Sequence, residues 1–395
     1  MSSASPQPEQ YKKRILLVVI GMTPQIVTET LYKLAVDSDP VYIPTEIHLI
    51  TTKEGANSAE IALLGTAHDQ GWFYTLCEDY GIDRDIFKKE NIHIITDTEG
   101  QFINDNESSE HNKIASNYIT NKIKEFTQDS NTSLHVSLAG GRKTMSYYAG
   151  YALSLYGRWQ DRLSHVLVNY PFMNNENFFY PRPKAQRFSI DNRHYSTDEA
   201  NIILSDIPYV RMRYQVPEAL LKGTAGFQET VAKIQLFSEP PTIALYLYNR
   251  VVVLNGFAVT LTAREFAFYF WFCLRQKENY PPLNLASEAF LKDFANVFER
   301  FTSTYSGRFE YIEQLAELTR ELPQDSPKEK QAKLKKRKKW FSDTKGKVHT
   351  KIRTALGKVF ARAFLIETLD EDGSAVYQLD IEADRIEIFR KEYQG

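Results

Sequence analysis

Two short stretches combine residue types that could hold a phosphate. The sharper is Ser137-Leu138-Ala139-Gly140-Gly141-Arg142-Lys143-Thr144, which follows a strand-like run and opens a helix-like one. Two flexible glycines, two cations and a hydroxyl meet there at one helix N-terminus, where free backbone N–H groups and the helix dipole favour an anion. Cations are electrostatically unwelcome at that end of a helix, and a broken local rule often marks function. The competing reading is that Arg142 and Lys143 simply point into water. The second stretch is Gly21-Met22-Thr23-Pro24-Gln25. Thr23 suits the N-cap and Pro24 the first helical turn, where its missing N–H costs nothing. A glycine turn and a capped helix need no ligand, yet a strand-to-helix corner in a parallel sheet also welcomes a phosphate. Neither stretch meets GxxxxGK[ST], because Gly141 is followed by Arg142 without an upstream glycine in place, and GxGxxG is absent. Both loops therefore read as phosphate-binding without being those of an ATPase or a dehydrogenase.

Such loops need a sheet to position them. Arg14 to Ile20, Glu46 to Thr51, Ile92 to Thr96, Leu134 to Leu138 and His165 to Asn169 are short, apolar and β-branched, as buried parallel strands are. Helix-length segments lie between them at about Gln25 to Val36, Ser58 to Tyr80, Ser109 to Thr127 and Lys143 to Tyr156. This βαβ alternation predicts an α/β fold, a doubly wound Rossmann-like sheet with ligands outside the carboxyl ends of its strands. A strand pair is expected near Arg187 to Ile190 and Tyr209 to Tyr214, and a helix at Gln228 to Gln235. After the breaker Ser238 to Pro241 come strand-like Ile243 to Leu254, a turn at Asn255 and Gly256, and strand-like Phe257 to Leu261. Helices follow at Ala263 to Arg275, Ser287 to Phe301 and Ser306 to Glu321. A basic helix then runs from Lys328 to Gly357, and strands at Phe364 to Thr368 and Val376 to Ile381 close the chain. The reading is a disordered lead-in over 1–12, a Rossmann-like domain over 13–240 and a winged helix-turn-helix over 241–395.

Composition narrows the function classes. A chain of 395 residues with 43% hydrophobic and 25% charged residues is ordinary globular material, enough for two domains at roughly 100 to 200 residues each. Cys77 and Cys273 stand apart with no CxxC or Cys/His cluster, which gives little support to a disulfide framework or a structural zinc. No metal or cofactor is expected. The longest apolar runs fall short of the roughly 20 residues that span a bilayer, and the polar, Pro-containing start does not read as a secretion signal. A cytoplasmic protein is the expectation. The net charge of −2 hides an asymmetry: 328–362 holds 14 cations against Glu329 and Asp343, a local balance of +12. Such a block is either a solvated face or a nucleic-acid contact.

At the two loops, GMTPQIVTETL and SLAGGRKTM, the chain resembles the CRISPR-associated Rossmann-fold (CARF) proteins, and the Ile202 to Arg213 segment resembles the closing strand of one branch. The likeness covers about 13–235. It implies a homodimer that binds a cyclic oligoadenylate, most often the tetramer, across its two-fold axis. Some relatives are ring nucleases that cut this messenger and end the antiviral response. Carried over to this sequence, the resemblance assigns catalysis to Lys143 and Thr23, and ligand contact to Gly21, Met22, Pro24, Gln25, Gly140, Gly141, Arg142 and Thr144. Many family members have serine where Thr23 stands, and Arg142 is an added cation. The chemistry fits these residue types: a ribose 2′-OH in line with its own 3′-phosphate can attack it without a metal, while Lys143 and backbone N–H groups stabilise the phosphoryl charge.

The C-terminal part lacks the Arg-x4–6-His signature of a HEPN ribonuclease: its sole histidine is His349, and the positions that would need arginine are Ser342, Asp343 and Thr344. Arg187 and His194 have the spacing but fall in the Rossmann part. VVVLNGFAVTLTAREFAFYFWF resembles the opening of response-regulator-type winged helices. On that likeness Ser342 to Gly357 is a recognition helix capped by Ser342 or Asp343, with Lys345, Lys347, His349, Lys351 and Arg353 reaching duplex DNA and Val348, Ile352, Ala355 and Leu356 facing inward. Winged helices also serve in protein docking. Two functions stand: a ring nuclease with an accessory winged helix, and a cyclic-oligoadenylate-sensing DNA-binding transcriptional regulator without catalysis.

Overall fold

The structure is a computed structural model that describes residues 6–394 apart from 139, 191–192, 287–288 and 302–325. The expected helix from Ser306 to Glu321 lies outside the described residues. The chain forms two compact units, Met1–Arg213 with Thr224–Thr230, and Tyr214–Gly223 with Val231–Gly395.

In the first unit the apolar run Ile15 to Ile20 is fully buried. A strand buried on both faces needs helices above and below it, which is the setting of a parallel sheet. Strand β1 (Lys13–Val19) accordingly pairs in parallel with β2 (Glu46–Thr51) and β4 (Thr132–Ser137), with Leu17 opposite His48 on one side and Val136 on the other. With β3 (Ile92–Ile94), β5 (Arg162–Val168) and the antiparallel edge β8 (Ile202–Asp206), the order is β3-β2-β1-β4-β5-β8. The chain leaves β1 toward one edge and returns through β4 toward the other. The carboxyl ends of β1 and β4 therefore flank the switch point of a Rossmann-like sheet, where ligands of such folds sit. Helices α1 (Gln25–Ala35), α4 (Ser109–Phe126) and α5 (Lys143–Tyr156) follow β1, β3 and β4.

Several expectations are corrected. The helix expected over Ser58 to Tyr80 is broken: α2 (Lys53–Ala59) runs on as a π-helical turn over Glu60–Leu64, and α3 (Trp72–Tyr80) starts anew. Gly65 at φ +85° turns the chain, Thr66 N–H bonds to Asp69 O, and Gly65 bridges Gln70. Within the expected disordered lead-in, Pro8–Gln10 form a 3-10 turn whose Pro8 carbonyl accepts the Ser133 hydroxyl at 2.8 Å. Strand β6 (Arg187–Ile190) pairs with β7 (Arg193–Ser196) and not with Tyr209 to Tyr214, which carries no strand. Arg211 and Arg213 instead donate to the carbonyls of Arg158, Asp161 and Tyr156.

The second unit opens with a meander, β9 (Ile243–Tyr246), β10 (Val251–Leu254) and β11 (Phe257–Thr260), joined in parallel to β9 by β15 (Ile386–Phe389). The expected single run Ile243 to Leu254 is split by a turn with Arg250 at φ 56°. Short helix α6 (Glu218–Lys222) and the end of α7 (Phe227–Gln235) precede this sheet. Helix α8 (Ala263–Lys277) buries Phe266 through Cys273 and is capped by Thr262 in a reciprocal box with Glu265. Then come β12 (Leu283–Asn284), α9 (Ala289–Phe301) and α10 (Pro327–Phe360), with β13 (Glu367–Glu371) and β14 (Ser374–Gln378) forming a small sheet with β12. Ser342 and Asp343 cap nothing: α10 passes through them from a capping box at Ser326 and Glu329.

Candidate functional site

The two glycine loops touch through their backbones. A Cβ on Gly21 would lie 2.8 Å from Gly141 Cα, and one on Gly140 would meet the Ile26 side chain at 2.6 Å. Gly141 has φ +82°, a conformation that favours glycine. Gly55 closes the third side, since a Cβ there would stand 2.6 Å from Gly21 O. Only glycine allows the strand ends to approach this closely, and the result is a cleft of about 270 Å³ lined by Gly21, Met22, Thr23, Gly141, Arg142 and residues from neighbouring strand ends.

Thr23 is not the N-cap. Pro24 occupies that position with φ −67° and ψ −20°, its carbonyl accepting from Val27 N–H, and Thr23 is exposed with no side-chain hydrogen bond among the described residues. Its hydroxyl is therefore available to a ligand. Met22 is 60% exposed on the same rim. At the other loop Arg142 is the N-cap residue of α5 and Lys143 the first helical residue. The broken charge rule has a local compensation for Arg142: its guanidinium bonds to Asp105 at 2.5 Å. That bond holds the Asp105 carboxyl below its ordinary range and Arg142 above its own. Lys143 has no ion pair or hydrogen bond among the described residues and is exposed. Thr144 accepts from Asn106 Nδ2 at 3.4 Å, while Asn106, 4% exposed, leaves its Oδ1 unpaired.

Asp105 and Asn106, from the segment after β3, and Thr52 and Glu54, just past β2, were not legible as site residues. No motif ties them to the loops; only the parallel sheet brings their strand ends together. Thr52 caps α2 through Gly55 N–H, and Glu54 stands exposed on the cleft rim.

A larger cavity, about 570 Å³, opens on the other side of the first loop and shares Met22 and Thr23 with the cleft. Pro24 and Gln25 line it too, with Phe172, Phe178 and Phe179 as its apolar wall. That wall is held by Thr28 Oγ1 donating to Phe179 O at 2.8 Å, by Trp72 stacked on Phe179 at 4.8 Å, and by Arg182 paired with Asp79. Gln25 Nε2 donates to Glu176 O, but Gln25 Oε1 is buried without a partner. One turn along α1, Glu29 is 8% exposed and has no hydrogen bond or ion pair among the described residues. Burial alone pushes its carboxyl from 4.5 to about 7. Among the described residues no group of three or more His, Cys, Asp or Glu could hold a metal ion.

On α10, Lys347 and Arg353 are exposed. Lys345 is half-buried, bonded to Thr368 and placed over the Tyr377 ring at 4.7 Å, and Lys351 bonds to Glu265 at 2.5 Å. His349 is a correction: it is 7% exposed, its Nε2 accepts Ile366 N–H at 3.0 Å, and burial lowers its pKa to about 4. It is a neutral core acceptor, not a cation facing outward. Val348, Ile352 and Leu356 are buried beside it.

Two glycine-built loops at the switch point, one carrying a lysine without a partner among the described residues at a helix N-terminus, form the crevice of a Rossmann-like sheet. The family described as CRISPR-associated protein NE0113 (Cas_NE0113) matches residues 23–240, and the chain belongs to that family. No curated protein matches it. Among solved structures, Enterococcus italicus Csm6 bound to cyclic hexa-2'-fluoro-hexa-dAMP is similar over 93% of this chain and 73% of that one, at 11% identity and a TM-score of 0.28. No helix of the described residues is long and apolar enough to cross a membrane.

Proposed function

We propose that this protein is a CARF-type ring nuclease that binds a cyclic oligoadenylate, preferentially the tetramer, as a homodimer and opens it without a metal. The observation that carries the reading is Lys143: a cation with no partner among the described residues, at the N-terminus of α5 and on the loop whose backbone meets the Gly21 loop. A helix start already favours anions, and an added unpaired ammonium makes an anionic ligand its natural counter-charge. Arg142, tied to Asp105, shapes the rim.

In the proposed reaction the ribose 2′-oxygen forms a bond to the phosphorus of its own 3′-phosphate while the P–O5′ bond breaks. The products are a 2′,3′-cyclic phosphate and a 5′-hydroxyl, and the 2′-OH proton passes to water as O5′ takes one up. Lys143 and the Gly140–Gly141 backbone N–H groups stabilise charge on the non-bridging oxygens, and the Thr23 hydroxyl orients the attacked phosphate. Cutting the ring destroys the messenger and so down-regulates the CRISPR antiviral response. The test is incubation of the pure protein with cyclic tri-, tetra- and hexa-adenylate in EDTA, with products separated chromatographically; no cleavage of any ring overturns catalysis.

A second reading has its own support. The exposed lysines of α10, following the β9–β11 meander and preceding a β-hairpin, suit a winged helix-turn-helix that contacts duplex DNA. On that reading the chain is a messenger-sensing transcriptional regulator, and DNA binding that changes with cyclic tetra-adenylate in the absence of cleavage distinguishes it.

A further inference from the structure

The cavity beside the first loop has features that a phosphate site does not need. One wall is aromatic and aliphatic, from Ile26, Val166, Phe172, Phe178 and Phe179, set against polar residues such as Gln25, Glu29 and His165, and the cavity's volume of about 570 Å³ exceeds what a phosphate fills. Two residues on consecutive turns of α1 add polar groups to this lining: Gln25, whose buried amide oxygen has no partner among the described residues, and Glu29, 8% exposed, whose carboxyl has no hydrogen bond or ion pair among them. An unsatisfied buried polar group such as the Gln25 amide oxygen is costly, and binding sites are where a ligand offsets that cost. Because the cavity and the phosphate cleft share Met22 and Thr23, a molecule with its phosphate on the glycine loops can put a flat heterocycle into this cavity.

We propose that Glu29 is the specificity-determining residue that reads an adenine base in this cavity, its carboxylic acid donating one hydrogen bond to a ring nitrogen and accepting one from the N6 amine. A neutral acid carries one donor and one acceptor, whereas a carboxylate only accepts. On its Hoogsteen edge adenine offers the N7 acceptor beside the N6 amine donor; guanine on that edge offers N7 and O6, both acceptors. The protonated form therefore matches adenine and leaves one guanine acceptor unpaired. Among the described residues no Lys or Arg lines the cavity to ionise Glu29. The titratable groups lining it are His165 on β5, whose Nδ1 lies 3.2 Å from the Leu138 carbonyl, and Glu176 on the following segment, while α2 and its π-helical turn add only Ser58 and Ala62. Glu29 thus stays protonated to about pH 7 through burial, and base reading is coupled to that proton.

This inference rests on the cyclic oligoadenylate reading above, and one experiment separates the two. Binding of cyclic tetra-adenylate and cyclic tetra-guanylate is measured by calorimetry at pH 6.0 and 8.5 for wild type, Glu29→Gln and Glu29→Ala. If only the protonated form pairs, the apparent affinity scales with its fraction and falls up to about 30-fold between these pH values. Glu29→Gln, whose amide keeps one donor group and one acceptor, should bind the adenine ring equally at both pH values, and Glu29→Ala should bind weakly at both. Wild-type preference for the adenine ring over the guanine ring is also expected. A Glu29→Gln protein with the wild-type pH dependence, or Glu29→Ala with wild-type affinity, overturns the role of Glu29 while leaving messenger binding standing. Wild type that binds neither ring at either pH overturns the messenger reading itself and this inference with it.

Discussion

Burying an unpartnered carboxyl has a cost that can be measured without any ligand. Glu29 ionises at about 7 in the folded chain against 4.5 ordinarily, so the folded state holds a proton that the unfolded state releases across that interval. A raised folded pKa gives stability that is fully present below about pH 4.5, is lost as pH rises through about 7, and changes no further above it. The interval corresponds to about 3 kcal/mol, little discounted by solvent because the side chain is 8% exposed. Glu29→Gln keeps the shape and removes the titration. The variant should match wild type near pH 4.5 and exceed it by up to about 3 kcal/mol at pH 8, a rise in melting temperature of roughly 6–12 °C for a unit of this size. Thermal melting of both proteins at pH 5.0, 6.5 and 8.0 measures the divergence. Parallel curves would show that Glu29 is ionised or paired in the fold, and the burial argument would fail.

Lys143→Ala should reduce single-turnover cleavage of cyclic tetra-adenylate by about 10²- to 10³-fold, the cost of one preorganised charge at a phosphoryl transition state, with Thr23→Ala slower by a smaller factor; full activity in Lys143→Ala refutes its role. Cleavage should survive EDTA, because attack by an internal 2′-OH requires no metal-bound water, and activity recovered only with Mg²⁺ would contradict this. Gly141→Ala should cost about 1–2 kcal/mol for a side chain at φ +82°, read as a lower denaturation midpoint, with wild-type stability counting against the loop geometry. Binding of duplex DNA by the full chain should weaken with salt at a log–log slope near −5 if about six phosphates are contacted. Neutralising exposed Lys335, Lys336, Lys338 and Lys339 while sparing Arg337, which is 1% exposed, should flatten it. No binding at low salt would make this block a solvated face or a docking surface.

The central sheet was legible because β1 carries a continuous apolar run and β2 and β4 are short segments rich in aliphatic and β-branched residues between helix-length stretches, and α5 was bounded correctly by the glycine pair before it and Gly157 after it. The break at Gly65 was missed because the apolar pattern continues through Leu63, Leu64, Trp72 and Phe73 as though one helix carried it. His349 was misread for a related reason. On a helix so rich in lysine its polarity suggested the outer face, but it neighbours Val348 and sits one turn before Ile352, and a backbone N–H from Ile366, remote in sequence, satisfies it. Glu29 could have drawn notice as an acid flanked by Val27 and Leu31. Its cavity could not, because the aromatic wall comes from residues about 150 positions later.

The contact between Gly21 and Gly141 makes the two loops one mechanical body. With Cα of one within 2.8 Å of where the other's Cβ would be, neither loop can shift toward the other without a backbone collision. A group that grips the first loop therefore also sets the position of the second, and the free energy of that coupling is the same whichever side is engaged first. Substitutions at Thr23 and Lys143 should then combine non-additively, and a larger ring could be accommodated only by moving both strand ends together.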